Sequence, residues 1–203
     1  MKKFWSVAAA LLIVAASFAQ PQDVTKFLGI PVDGSKAEMI QKLKDKGYVY
    51  NSELDCLEGE FNGREVRIYV GTNNNKVYRI MIQDAVPSSE GDIKIWFNDL
   101  CRQFEANGKY WSPSNYALSE EENISYEMAA HNKRYQAVYC QFDVWGAMRE
   151  YLSNTGAYPS AAAIMERAMK RSVWFMIRQY DSSRFVIVMF YDNEYNQADG
   201  EDL

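Results

Sequence analysis

Two apolar runs near the end of the chain, 173–180 and 184–191, constrain the fold more than anything else in the sequence. Asp181-Ser182-Ser183 separates them, so they read as an antiparallel hairpin. One alternation set is Phe175, Ile177, Phe185, Ile187 and Met189. The other is Trp174, Met176 and Tyr180 with Val186, Val188 and Phe190. A one-sided antiparallel strand alternates apolar with polar residues. Here both sets are apolar, so the second face of the hairpin needs a cover as well as the first. One cover is the chain's own segment 143–171, through Trp145, Met148, Tyr151, Ile164, Met165 and Met169. The other is a protein or glycan partner laid on an open aromatic surface.

The rest of the pattern supplies the sheet and its helices. Ser35 with Glu38 three residues later is a capping box, which predicts a helix over 36–46 that Gly47 can cap. Asn62-Gly63 between two alternating runs predicts a tight hairpin, and the segment 72–75 predicts the next turn. Together 48–84 reads as a meander of three or four strands. Ile93, Trp96, Phe97, Leu100, Cys101 and Phe104 recur at helical spacing and predict an amphipathic helix over 90–106, started near Ser89. Strands are expected over 124–130 and 134–142, with a turn at His131-Asn132-Lys133. The segment 143–152 is helical apart from Gly146, and a further helix runs over 160–171. Residues 20–32, with Pro21 and Pro31, are expected to lack regular structure, and 192–203 reads as a solvated acidic tail.

The beginning of the chain is of a different kind. Two lysines precede a nearly unbroken apolar run from Phe4 to Ala16, and Ser17-Phe18-Ala19 places small residues at the −3 and −1 positions. This is the pattern of a secretory signal peptide cleaved after Ala19, which implies a periplasmic or secreted protein. The run falls short of the ~20 residues of a membrane-spanning helix, and no later segment is apolar enough to span. Removing residues 1–19 leaves 184 of the 203 residues as one expected domain, 20–203, and shifts the net charge from −5 to −7. An acidic chain lacks the basic footprint of a nucleic-acid binder.

The element order repeats loosely, with units over 33–86 and 88–191. The hairpin 66–82 lies over 173–189 at an offset of 107 residues (66 to 173), matching Val66 with Val173, Tyr78 with Phe185 and Ile80 with Ile187. The expected fold is α+β: an antiparallel sheet of two loosely repeated helix-plus-strand units, with helices packed on one face. This order resembles tandem-repeat proteins of the β-lactamase-inhibitor-protein type and small exported PepSY-type domains. That likeness implies an architecture, and an assembly or inhibitor role only by analogy. The stretches 27–34, 39–44, 57–63 and 73–80 resemble exported proteins of Bacteroidetes bacteria. That resemblance implies origin and export, and no catalytic residues.

Catalytic motifs are scarce. The single His131 excludes any site built from two histidines, and it sits in an expected turn. There is no G-x-S-x-G, no phosphate-binding glycine pattern and no C-x-x-C pair. Cys56, Cys101 and Cys140 are an odd set, expected to be buried, with a Cys101–Cys140 bridge as the alternative. No metal site and no cofactor are expected. The EF-hand pattern fails from Asp192 because its sixth position is Gln197 instead of Gly.

The expected function is a non-enzymatic binding or interaction protein of the bacterial envelope. Its partner is another envelope protein or a glycan, contacted through Trp174, Tyr180, Phe190 and Tyr139. The alternative is a hydrolase acting on envelope or dietary polysaccharide through paired carboxylates, which requires a cleft lined by two acids and a Trp.

Overall fold

Local signals and sheet register account for most of the computed structural model, which describes residues 23–197. The signal peptide expected over 1–19 and the end of the acidic tail lie outside the described residues. The described chain begins with a small hairpin where irregular structure was expected. Strands β1 (Lys26–Phe27) and β2 (Ile30–Pro31) pair across Leu28-Gly29, both at positive φ (51° and 81°). Two consecutive positive φ values make the tight turn that a two-residue hairpin needs. Pro31 is tolerated at the strand's end.

Helix α1 (Lys36–Lys44) starts at the expected capping box, with Ser35 and Glu38 each accepting from the other's backbone N–H. Strands β3 (Val49–Asn51), β4 (Cys56–Phe61), β5 (Arg64–Asn73) and β6 (Lys76–Asp84) form the meander. Its tight turns fall at Asn62-Gly63 and Asn74-Asn75, all at positive φ. Helix α2 (Glu90–Ala106) is capped by Ser89 and buries Ile93, Phe97, Leu100, Cys101 and Phe104, as its periodicity requires.

The second half corrects one expectation. Residues 124–130 form a helix, α3 (Ile124–His131). Asn123 caps its start by accepting from the Tyr126 N–H, and Asn132 ends it in the left-handed conformation at φ 52°. The Asn caps and the Met128-Ala129-Ala130 run decide for helix. The second half therefore supplies three strands: β7 (Gln136–Cys140), β8 (Ser172–Gln179) and β9 (Phe185–Asp192). Helices α4 (Val144–Thr155) and α5 (Ala161–Met169) form the insertion between β7 and β8.

All seven main strands join one antiparallel sheet in the order β3-β4-β5-β6-β9-β8-β7. The closing hairpin is internal to the sheet, with β9 beside β6 and β8 beside β7. Moving the β5–β6 pairs by 107 positions gives the β8–β9 pairs. Val66↔Asp84 becomes Val173↔Tyr191, Ile68↔Ile82 becomes Phe175↔Met189, and Val70↔Ile80 becomes Ile177↔Ile187. The hairpins abut along β6–β9, where Ile82 pairs with Met189, the two positions that the same offset equates.

One sheet face carries the core. Ile68, Ile80, Phe175, Phe185 and Ile187 pack there against Met39 and Leu43 of α1 and Phe97 and Leu100 of α2. Burying such side chains contributes about 1.5–3 kcal/mol each. The insertion makes its own small cluster at the sheet edge. Ala147 and Ala168 meet Cys140 and Phe142, with Trp111, Val144 and Ile164 around them. No helix among the described residues is long and apolar enough to cross a membrane.

Candidate functional site

The insertion packs on the second face at its Cys140 end and does not extend over the Trp174–Phe190 pair. Its cluster contains neither Trp174 nor Phe190, and Trp145 is 71% exposed. Tyr151, Met165 and Met169 are exposed as well. The reason is geometric. Ala147 and Ala168 let α4 and α5 pack on the Cys140 corner together with Val144 and Ile164, while Trp145, Tyr151 and Met165 stay on the exposed side. Register across β5, β6, β9, β8 and β7 places Tyr69, Met81, Phe190, Trp174 and Val138 in one row of this second face. Arg67, Gln83, Val188, Met176 and Gln136 form the next. Trp174, Phe190, Met81, Met176 and Tyr69 are half-buried beside their neighbours. Val186 and Val188 are buried, with a 2.9 Å hydrogen bond from Arg178 to Gln83 passing across β9.

An ordered cluster sits at the middle of this face. Trp174 and Phe190 stack with centroids 4.0 Å apart. The Arg79 guanidinium lies 4.9 Å from the Phe190 centroid and 5.6 Å from that of Trp174. Arg79 holds the Asp192 carboxylate with bonds of 2.6 and 2.9 Å. The Trp174 indole N–H donates to the same carboxylate at 2.8 Å. Hydrogen bonding to Asp192 outweighs desolvation and holds the Arg79 guanidinium more firmly protonated. Asp192 was expected in a solvated tail; it is instead the last residue of β9 and only 4% exposed. Its place directly after the alternating run, in phase with Phe190, was the available signal.

The four expected contact residues separate. Trp174 and Phe190 come together. Tyr180 is exposed beyond the end of β8, six residues and about 20 Å from Trp174. Its ring is covered by Arg184 at 5.4 Å. Tyr139 is fully buried on the helix-covered face, stacked on Phe104 at 4.6 Å, and belongs to the core instead of a contact surface. Its neighbour Val173 on β8 lies on the face opposite Trp174, so strand parity decides the matter.

A second feature lies on the other side of the sheet. A cleft of about 1150 Å³ opens between the C-terminal ends of α1 and α2. Phe61, Leu100, Phe104, Met189 and Tyr191 line it, with Lys26, Lys46, Lys109 and Arg171 among its charged residues. Burial raises the Tyr191 phenol well above its ordinary range, and Tyr110 adds to the effect. The cleft also holds Glu60 and Asp143, but no Trp lines it, and Asp143 is occupied in capping α4 through the Gly146 N–H at 2.9 Å.

The remaining chemistry-bearing residues are dispersed. His131 is exposed at the end of α3, with Nδ1 2.9 Å from a Glu127 carboxylate oxygen. Cys56, Cys101 and Cys140 are buried and free, so the alternative Cys101–Cys140 bridge is not formed. Burial pushes the Cys101 and Cys140 thiols up to about 11. Among the described residues no group of three His, Cys, Asp or Glu side chains could hold a metal ion. Comparison with family models, curated proteins and solved structures gives no match.

Proposed function

We propose that the protein is an exported, non-enzymatic binding protein of the bacterial envelope that docks another envelope protein on the second face of its sheet. The carrying observation is the half-buried Trp174–Phe190 stack on a part of the second face that the insertion's cluster does not reach. The composition of that face supports the reading, because aromatic, Met and Arg side chains are enriched at protein interfaces. A protein is favoured over a glycan because the Trp174 and Phe190 rings already stack on each other under Arg79, which leaves little free ring face for a sugar. The fixed geometry of the cluster suits a preorganised contact, since its side chains lose little freedom on binding. Export and an envelope setting rest on the pattern of residues 1–19 and on the resemblance to exported proteins.

A photo-crosslinking residue at position 176, on this face, tests the proposal in cells of the source organism, with position 49, exposed on the edge strand β3, as control. The expected result is a defined adduct with one envelope protein from position 176 only, lost on Trp174→Ala. Equal adducts from both positions, or none from 176, would overturn it.

A further inference from the structure

We infer that the cleft between α1 and α2 is a binding site for an amphiphilic organic anion, an acidic group carried on an aromatic or aliphatic body. The site is distinct from the sheet face of the proposed function and does not depend on it. Met189 and Tyr191 point to the helix-covered face of β9, while Trp174 and Phe190 point to the other.

The shape comes from the fold. Helix α1 packs over the β3–β6 meander and α2 over β9, and the gap between their C-terminal ends is floored by Met189 and Tyr191 of β9. Asn62 of the β4–β5 turn donates to Gln103 of α2 at 2.7 Å and closes one wall. Gln141 holds the opposite side by accepting from the Lys26 N–H and donating to the Lys26 carbonyl and the Tyr110 hydroxyl. The volume of about 1150 Å³ is above the roughly 300–1,000 Å³ of ordinary small-molecule pockets, leaving room for a bulky organic body. Its apolar residues lie beside many polar and charged ones, a mixed lining that suits an amphiphilic ligand better than a purely apolar one.

The charge pattern selects the ligand's sign. Four cationic residues, Lys26, Lys46, Lys109 and Arg171, line the cleft against two acidic ones, Glu60 and Asp143, in a chain whose net charge is −5. Lys26, Lys46 and Lys109 make no ion pair among the described residues. Arg171 is tied to Asp23 through Nη1, but its Nε is buried and donates to nothing among the described residues. The helix ends oppose an anion through their dipoles. Lys46 and Lys109, each just beyond a helix end, offset that effect.

The test is fluorescence titration with two probes of one skeleton, anionic 1-anilinonaphthalene-8-sulfonate and neutral N-phenyl-1-naphthylamine. The wild type should bind the sulfonate more tightly than the neutral probe. Combined reversal of the exposed lysines (K26E, K46E and K109E) should raise the sulfonate Kd by about tenfold or more and leave the neutral probe within about twofold. Gln103→Trp, which fills the cleft from the exposed side of α2, should weaken both probes. Met176→Glu on the sheet face should change neither. An unchanged sulfonate Kd in the triple variant, or loss of binding in Met176→Glu, would overturn the inference. So would equal wild-type affinity for the two probes, or unaltered binding in Gln103→Trp. Far-UV circular dichroism confirms that each variant is folded.

Discussion

Arg79 and Asp192 face each other across β6 and β9, joined by two hydrogen bonds at the place where the two hairpins meet. Asp192 also receives the Trp174 indole N–H, so one carboxylate ties together β6, β8 and β9. Removing it leaves a partly buried guanidinium and an indole donor without their acceptor. Asp192→Ala should lower stability by about 2–4 kcal/mol. Asp192→Asn, which keeps one acceptor oxygen, should lose less. Urea unfolding of both variants measures this, and equal losses would show that the hydrogen bonds do not carry the effect.

Gly146 illustrates a glycine whose role depends on its neighbour. A Cβ there would overlap the Asp143 carboxylate, which caps α4 through the Gly146 N–H. An ordinary helical Gly→Ala change gains about 1 kcal/mol, while losing the cap costs about 1 kcal/mol. Gly146→Ala should therefore be close to neutral in the wild type. In an Asp143→Ala background it should be stabilising. A double-mutant cycle with no coupling between the two positions would contradict this.

Asp84 gives a pH dependence of known sign. Burial raises its carboxyl above the usual range, although the Ile187 N–H at 2.9 Å and Arg64 act the other way. A raised folded-state value means that the native state holds the proton to higher pH than the unfolded chain. The contribution of Asp84 is then fully present below the ordinary aspartate range and is lost as pH rises through the folded-state value. Asp84→Asn removes that loss. The stability difference, variant minus wild type, should become more favourable to Asn between pH 4 and pH 7 as read from urea midpoints. A difference that stays constant, or moves the other way, would contradict it.

The three thiols should be inert in the folded protein. Cys101 and Cys140 are held up near 11 by burial, and Cys56 is raised by burial as well. At pH 8 a disulfide reagent should titrate essentially none before unfolding and three per chain in denaturant. Rapid reaction of one thiol under native conditions would place it outside the buried set.

Much of this arrangement was legible in the residues, for identifiable reasons. Capping at Ser35 and Ser89 and the turn at Asn62-Gly63 are local signals, and tertiary packing agrees with them. The doubly apolar alternation of 173–191 marked a hairpin with two apolar faces, and the 107-residue offset agrees with its register. The strand expected at 124–130 is a helix because Asn123 and Asn132 cap it at either end and the Met128-Ala129-Ala130 run favours helix. Tyr139 looked like a surface aromatic until the β7 register set it opposite Val173. Coverage of the second face was not legible, because it depends on where α4 and α5 pack after the small residues Ala147 and Ala168 meet. The Arg79–Asp192–Trp174 cluster joins residues 113 and 18 positions apart and appears only once strand order is known. The cleft is hidden for the same reason, since its lining comes from both halves of the chain.

Oxidative footprinting of the methionines tests the central claim, that the second sheet face is open and used by a partner. In the purified protein Met176 should be oxidised more readily than the fully buried Met39, and Met165 on the exposed side of α5 should react readily. With the envelope fraction present, Met176 should become protected while Met165 stays reactive. Protection of Met176 in the purified protein would mean that the chain itself covers the face. Unchanged reactivity with the envelope fraction would contradict the docking role.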